Sequence, residues 1–197
     1  MFEWQEVKVG SNSLKVKVVN DFESFCLNSS DEHWPVYSQV WPSGLELAQF
    51  LIKEDLSGLK VLELGCGLSL SSMVAERRGG RVIASDNHPD LKDHLEEQWV
   101  ANELKNISFV NLDWREPKVL GAFDLIIASD VLYDPGLFFQ LSKVVSGNLG
   151  RNGKFWLADP GRFKASNFFH ELQGVGIKPL ISKVSNDIKL TICGWNQ

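Results

Sequence analysis

The sequence predicts an α/β fold built on a Rossmann-like, mostly parallel sheet whose last strand runs antiparallel. From Lys60 onward, short apolar runs alternate with segments whose apolar residues recur at helical spacing. The run 123–128 is almost wholly apolar, which is typical of the centre of a parallel sheet. The last two β segments, 179–184 and 188–194, are separated by Ser185, Asn186 and Asp187 alone, and so short a turn makes them antiparallel neighbours.

The elements follow in chain order. Alternating apolar and polar residues on both sides of a turn at 10–13 predict an N-terminal β-hairpin, which we interpret as an appendage. Ser43, with Glu46 three residues later, forms a capping box for a helix that runs into Gly58. Further strands are predicted at 61–64, 82–85, 108–111, 123–128 and 155–158, and helices are predicted after all of them except the strand at 108–111.

Two of these helices carry clear start signals. Pro89 opens one of them, and Asp134 with Pro135 caps another. The apolar stripe of the first consists of Leu91, Leu95, Trp99 and Val100. We expect one domain over residues 1–197, with the hairpin and an irregular lead-in over 1–39 and the Rossmann-like core over 40–197. The lead-in contains Cys26, Trp34 and Pro35.

Composition argues against several classes of protein. The net charge of −5 does not suit a protein that neutralises many phosphates, so nucleic acid is an improbable partner. Cys26, Cys66 and Cys193 lie far apart without a CxxC pair, and the histidines are dispersed, so we expect neither disulfides nor a metal site. The N-terminus lacks a basic stretch followed by an apolar run, and no segment stays apolar for the about 18 residues that a membrane span needs, so we expect neither export nor anchoring. We therefore expect a cytoplasmic protein without membrane contact, with a monomer favoured.

The strongest constellation for function begins in the strand at 61–64. That strand runs into Gly65-Cys66-Gly67 and then a helix, and Asp86 follows at the end of the next strand. This is a mononucleotide-binding arrangement, because glycines let a ligand lie against bare backbone and an acid there accepts hydrogen bonds from ribose hydroxyls. The alternative is that the two glycines only form a tight βα turn.

The residues around this turn bear on the kind of ligand. The third glycine of a dinucleotide motif would fall at position 70, which is Leu70, and Glu63 brings a carboxylate close to the loop. A carboxylate opposes a pyrophosphate and suits a ligand with an ammonium and a sulfonium, as in S-adenosylmethionine. Glu63 could instead be a structural cap on loop amides.

From about residue 40 to the C-terminus the chain resembles the class I, seven-stranded S-adenosylmethionine methyltransferases. More narrowly, it resembles lysine methyltransferase family 16, and within it the enzymes related to electron-transfer flavoprotein β-subunit lysine methyltransferases. The motifs that carry this resemblance are Val40-Trp41-Pro42-Ser43-Gly44, Leu112-Asp113-Trp114 and Ser129-Asp130-Val131-Leu132-Tyr133, which contains the family's D-x-x-Y. Leu68-Ser69 departs from the Thr-Gly that the family commonly has.

The resemblance implies a role for each cofactor-binding residue. Glu63 and Gly65 would hold the methionine end, Asp86 the ribose, and Asp113 the adenine amino group. Trp41 and Trp114 would form apolar walls, the alternative being core packing. The predicted cofactor-binding residues are Trp41, Glu63, Gly65, Cys66, Gly67, Asp86, Asn87, Asp113, Trp114 and Ser129.

Asp130 and Tyr133 are the predicted catalytic residues. Asp130 would orient a lysine amine and Tyr133 would pack or hydrogen-bond beside it, unless Asp130 only caps the next turn and Tyr133 is buried. The segment 159–162 lines the acceptor site or forms a plain turn. The sequence thus predicts an S-adenosylmethionine-dependent protein-lysine N-methyltransferase with a protein substrate. A small-molecule N- or O-methyltransferase and a non-catalytic cofactor-binding partner protein stay open, because folds do not fix function.

Overall fold

The computed structural model describes residues 2–21, 36–88 and 91–196. Four residues of the sequence analysis lie outside these ranges, namely Cys26, Trp34, Pro35 and Pro89.

Two sheets contain the described strands. The first is a hairpin of β1 Phe2–Val9 and β2 Asn12–Val19. The second has seven strands, which are β3 Lys60–Leu64, β4 Arg81–Asp86, β5 Ile107–Asn111, β6 Phe123–Ser129, β7 Leu149–Asp159, β8 Ile177–Ser185 and β9 Ile188–Trp195. The helices between them are α1 Pro42–Leu51, α2 Leu70–Arg77, α3 Leu91–Ala101, α4 Phe138–Asn148 and α5 Ala165–Gly174. Val36–Ser38 and Pro135–Leu137 are short 3₁₀ turns.

The seven strands lie side by side in the order β5–β4–β3–β6–β7–β9–β8. The strands from β5 to β7 in this order are parallel, and β9 is antiparallel to both β7 and β8. The predicted fold class is confirmed. The order reverses between β3 and β6, and ligands of open α/β sheets bind at the carboxyl ends of strands beside such a switch point.

Both faces of the central strands are buried, as period-two side-chain alternation requires. In β3, Val61 belongs to the apolar layer under α1, α2 and α3, whereas Leu62 and Leu64 belong to the layer under α4 and α5. In β6, Ile127 faces the first layer and Ile126 the second. None of the helices described has the combined length and apolarity that a membrane span requires.

The N-terminal hairpin is part of the core. Val9, Leu14 and Val16 are 0–1% exposed and lie in the same apolar cluster as the helices on that face. The side chain of Asn102 pairs with the backbone of Lys15 in both directions, accepting from its N–H at 2.9 Å and donating to its carbonyl at 2.7 Å. The interpretation of the hairpin as an appendage is therefore wrong.

Two further expectations fail for identifiable reasons. The capping box at Ser43 is wrong: Pro42, whose fixed φ suits a first helical position, starts α1 after Trp41, and Glu46 instead accepts a hydrogen bond from Asn186. This helix ends at Leu51, well before Gly58. In α3, Leu91, Leu95 and Trp99 are buried but Val100 is 77% exposed. Nine residues separate it from Leu91, and at about 100° per residue this places it on the opposite face.

Candidate active site

The loop from Gly65 to Ser69 turns β3 into α2. Gly65, Gly67 and Ser69 all have left-handed backbone, with φ of 65°, 46° and 60°. Glycine is required at position 65 because a Cβ there would lie 2.9 Å from Cγ1 of Val131. The Oγ atom of Ser69 accepts a hydrogen bond from the indole N–H of Trp99 at 3.2 Å. The loop therefore presents bare backbone at the carboxyl edge of the sheet.

Glu63, in β3, is 2% exposed. Its Oε2 accepts a hydrogen bond from the backbone N–H of Ser72 at 3.0 Å, which satisfies a free amide in the first turn of α2. Burial raises the pKa of Glu63 to about 8, against the opposing effect of the hydrogen bond from the Ser72 N–H. The structural capping role that the sequence left open is thus present, and a contact with the methionine end of a ligand stays a prediction.

Asp86 is the last residue of β4, and its side chain connects the glycine loop to this strand through hydrogen bonds. Oδ2 accepts from the N–H of Gly67 at 3.0 Å, and Oδ1 accepts from the N–H groups of Asn87 at 2.8 Å and His88 at 3.4 Å. Burial raises the pKa of Asp86, while these backbone donors oppose the rise. Each carboxylate oxygen can accept two hydrogen bonds, so Asp86 keeps acceptor capacity for a hydroxyl.

Cys66 has a mainly structural position in this loop. Its N–H donates to the carbonyl of Ser85 at 2.9 Å, and its side chain is buried. Burial raises the pKa of the thiol well above its usual range, so Cys66 is not a reactive thiolate. Asn87, by contrast, is exposed at the same edge.

Asp113 follows β5 and is already engaged by Arg115. The Nη2 atom of Arg115 lies 2.6 Å from Oδ2, and Nε donates to both oxygens at 2.9–3.0 Å. These hydrogen bonds hold the pKa of Asp113 below its ordinary value, so this side chain is a carboxylate. An adenine amino group would have to use a lone pair that Arg115 leaves.

Trp114 joins the end of β5 to the glycine loop. Two of its ring carbons lie 3.4 Å from the position that a Cβ on Gly65 would take.

The start of α1 lies close to the end of β6, since Oγ of Ser129 is 3.4 Å from the position that a Cβ on Gly44 would take. Trp41, the residue before α1, is 41% exposed, so core packing does not explain it.

The D-x-x-Y motif lies directly after β6. Asp130 has left-handed backbone with a φ of 59°, and its N–H donates to the carbonyl of Ala158 in β7 at 3.0 Å. Its Oδ1 accepts from Nη2 of Arg162 at 3.0 Å. Tyr133 is 64% exposed, so the alternative of a buried tyrosine is wrong. The left-handed backbone of Asp130 is strained for a non-glycine residue, and strain of this kind is concentrated at functional sites.

Two features of the site escaped the sequence analysis. Arg162 bridges Asp130 and Asp159, with Nη1 donating to Oδ2 of Asp159 at 2.8 Å. The rings of Tyr37 and His88 lie 4.2 Å apart between centroids, and the backbone of Tyr37 is 3.7 Å from the Cβ position of Gly67. The sequence signal for Arg162 was its place in the segment 159–162, directly after a predicted strand, and it did not identify the partner Asp130. Nothing in the sequence pairs Tyr37 with His88.

The residues present fit S-adenosylmethionine. Four buried side-chain atoms around this edge have no hydrogen-bond partner in the described structure, namely Oγ of Ser43, Oγ of Ser72, Nε1 of Trp114 and Oδ2 of Asp130. Buried polar atoms are nearly always paired, so this concentration of donors and acceptors suits a polar ligand. Carboxylates at the ends of three adjacent strands also suit ribose hydroxyls and cationic groups better than phosphates.

Residues 26–175 match the family described as lysine methyltransferase. The chain belongs to this family. The predicted resemblance is therefore confirmed, and in this lysine methyltransferase family member the three sequence motifs meet at one edge of the sheet. The glycine loop, Asp86 and Asp113 lie on one side of the switch point, and Asp130 lies on the other.

Three similar proteins are methyltransferases with different protein targets in their names. The histidine protein methyltransferase 1 homolog of Dictyostelium discoideum is 31% identical over 61% of this chain and 41% of its own length. The histone-arginine methyltransferase METTL23 of Rattus norvegicus is 34% identical over 59% and 56%. The electron transfer flavoprotein beta subunit lysine methyltransferase of Danio rerio is 31% identical over 67% and 51%. The chain thus spans about half the length of these relatives.

The fold is shared with solved methyltransferases. The 16S rRNA methyltransferase RsmC of T. thermophilus superposes with a TM-score of 0.72 over 100% of this chain and 51% of that one. The two sequences are 18% identical, so this likeness shows the fold alone.

Proposed function

We propose that this protein transfers a methyl group from S-adenosylmethionine to a lysine side chain of another protein. The observation that carries the proposal is Asp130, which lies at the switch point with one carboxylate oxygen paired and the other buried without a partner among the residues that the structure describes. Its position beside the glycine loop suits a residue that orients an acceptor nitrogen. The relatives, all named for methylation of proteins, support a protein acceptor.

The cofactor side of the site is formed by residues of three neighbouring strands. Gly65 and Glu63 would hold the methionine end, Asp86 the ribose and Asp113 the adenine amino group, while Trp114 forms an apolar wall. Cys66, Gly67, Asn87, Trp41 and Ser129 complete the proposed set. RsmC, which shares the fold, was solved with AdoMet bound, and this supports the choice of cofactor. S-adenosylmethionine supplies an electrophilic methyl carbon: the acceptor's lone pair forms the N–C bond, the C–S pair stays on sulfur, and the amine's proton leaves to solvent.

The acceptor side has to hold a neutral amine in line with that carbon. Positioning dominates such a displacement, because a misplacement of about 1 Å costs about 100-fold in rate. The Oδ2 atom of Asp130 accepts a hydrogen bond from the amine, and the hydrogen bond from the Asp130 N–H to the carbonyl of Ala158 holds the backbone that carries this side chain. Tyr133, exposed three residues later, packs beside the incoming side chain.

The rim of the site suits a polypeptide. Tyr133 and Phe163, which follow Asp130 and Arg162 in the chain, are 64% and 97% exposed, and Trp41 is 41% exposed. Exposed aromatic side chains are enriched where proteins bind proteins. We place the protein in a reducing, cytoplasmic setting, which agrees with the free thiols of Cys66 and Cys193.

Labelled S-adenosylmethionine and a cell lysate test this function. Wild type is expected to label one or a few protein bands, and Asp130→Asn to lose about 100-fold of that labelling, since it no longer presents a carboxylate to the amine. Asp187→Asn is the matched control, because Asp187 is exposed and shares the left-handed backbone of Asp130 but lies at the turn between β8 and β9.

Label found only in small molecules would replace the proposal with a small-molecule methyltransferase. Cofactor binding without transfer to any acceptor would point to a non-catalytic partner protein. Equal labelling by both variants would remove Asp130 from the acceptor site.

A further inference from the structure

Arg162 holds one side of Asp130. Its guanidinium donates from Nη2 to Oδ1 of Asp130 at 3.0 Å and from Nη1 to Oδ2 of Asp159 at 2.8 Å. The side chains of Arg162 and Asp130 are 29% and 15% exposed, so this bridge lies largely within the protein. Oδ2 of Asp130 is buried and has no partner among the described residues.

The bridge is itself rigidly supported. Oδ1 of Asp159 accepts from the backbone N–H groups of Gly161 at 2.8 Å and Arg162 at 2.7 Å, and Asp159 is only 5% exposed. The carboxylate that anchors Arg162 is therefore fixed to its own loop. A guanidinium held at both ends fixes the rotation of the Asp130 carboxylate as well, since Oδ1 cannot leave Nη2 without losing a charge-assisted hydrogen bond.

Among the described residues, this arrangement leaves one oxygen of Asp130, Oδ2, without a partner, and Oδ1 keeps only the lone pair that Arg162 does not use. A lysine amine is a compact donor that one oxygen can orient. A substrate guanidinium is a planar fork that pairs best with both oxygens of a carboxylate. At Asp130 it would meet one free oxygen and a second guanidinium of the same charge, that of Arg162.

We infer that Arg162 is a positioning residue that determines the acceptor class: by occupying Oδ1 of Asp130 it leaves a one-point site that accepts lysine and disfavours arginine. The inference rests on the proposed function and deepens it. Family membership does not decide this point, because similar proteins are named as lysine, arginine and histidine methyltransferases.

Two substitutions at position 162 separate charge and geometry from packing. Arg162→Met keeps an unbranched apolar stem and frees both oxygens of Asp130, whereas Arg162→Lys keeps a positive charge beside them. Arg151→Met is the matched control, because Arg151 is exposed near the opposite end of the same strand, β7. Melting with and without S-adenosylhomocysteine shows whether each variant folds and retains the cofactor site.

The assay uses labelled S-adenosylmethionine, a cell lysate as the acceptor pool, and amino-acid analysis of the hydrolysed protein. Wild type and Arg151→Met are expected to place label in methyllysine. Arg162→Met is expected to make at least about 10-fold less methyllysine, with the ratio of methylarginine to methyllysine rising at least about 10-fold. Arg162→Lys is expected to restore much of the methyllysine and the low ratio.

The outcomes distinguish the inference from the function on which it rests. A wild type that labels no protein overturns the proposed function and this inference with it. The inference alone is overturned if the wild type forms methyllysine and Arg162→Met leaves the ratio of methylarginine to methyllysine unchanged. It is also overturned if Arg162→Met loses methyllysine and Arg162→Lys does not restore it. Wild type forming methylarginine or methylhistidine instead of methyllysine overturns both the lysine acceptor of the proposed function and this inference. Should Arg162→Met not fold, Asp159→Asn, which loosens the anchor of Arg162, must shift the ratio in the same direction.

Discussion

Glu63 shows how a single buried carboxyl couples the fold to the site. It stands in the central strand β3, caps the first turn of α2 through Ser72, and has a pKa raised to about 8 by burial. In the free protein it is therefore largely protonated near neutral pH. A cationic ligand beside the loop would favour its charged form, so cofactor binding at this site is expected to release a proton.

Glu63→Gln is predicted to be progressively more stable than wild type as the pH rises from 5 to 8. The pKa of Glu63 is raised in the folded protein. The stability that the protonated Glu63 contributes to the wild type is therefore fully present below its unfolded pKa of about 4.5 and is lost as the pH rises through about 8. Glutamine keeps the acceptor for Ser72 and has no proton to lose. Because one pKa unit corresponds to about 1.4 kcal/mol, the gap between the two unfolding free energies should widen by more than about 1 kcal/mol.

Chemical denaturation at the two pH values measures this gap. Glu54→Gln, at an exposed position just after α1, is the control and should show a constant gap. A constant gap for Glu63→Gln too would mean that Glu63 is ionised in the folded protein throughout this range.

Ser69 marks the departure from the Thr-Gly that the family commonly has. Left-handed backbone costs a non-glycine residue about 1–2 kcal/mol, and Ser69 adopts it with a φ of 60°. The hydrogen bond from Trp99 to its Oγ offsets part of this cost. Ser69 thus adopts the backbone conformation that glycine reaches without cost, and Trp99 holds its side chain.

At the scale of elements, the hairpin and α3 form one packed unit. The edge of β2 would otherwise present unpaired backbone groups, and the side-chain amides of Gln98 and Asn102 pair with it. The inward face of the hairpin adds Val9, Leu14 and Val16 to the layer under α1, α2 and α3. Because α2 and α3 follow the glycine loop and Asp86, this packing also supports the cofactor side of the site.

Val16→Ala is predicted to destabilise the protein by about 1–3 kcal/mol, because Val16 is fully buried and its truncation leaves a cavity. Val184→Ala is the same change on a strand of the central sheet where the side chain is 72% exposed, and it should alter stability by less than about 0.5 kcal/mol. Urea denaturation of both variants measures the difference. Equal, small effects would show that the hairpin behaves as a detached appendage.

At the scale of the whole molecule, the sequence was sufficient for the sheet and for which strand ends carry the polar residues. Apolar runs of strand length separated by helical patterns predict parallel neighbours, and parallel strands bring their carboxyl ends to one edge. The sequence therefore places Gly65, Asp86, Asp113 and Asp130 at the same edge. The antiparallel β9 followed from the short turn at Asn186 and Asp187.

Contacts between loop tips could not be predicted in this way. Arg162 and Asp130 are 32 residues apart, and their ion pair depends on how the ends of β6 and β7 turn after the strands stop. The alternation in β1 and β2 predicted which hairpin face is apolar but not which helices cover it. A local motif also misled at Ser43, where Pro42 competes for the helix start.

The central claim is that the glycine-lined, acidic edge of this sheet binds S-adenosylmethionine. Calorimetric titration of the wild type and of Asp86→Ala with S-adenosylmethionine and with NAD tests it most directly. We expect one site for S-adenosylmethionine, an affinity at least about 10-fold weaker in Asp86→Ala because a hydrogen-bond acceptor is lost, and no binding of NAD. Binding of NAD, or no binding of S-adenosylmethionine by the folded wild type, would contradict it.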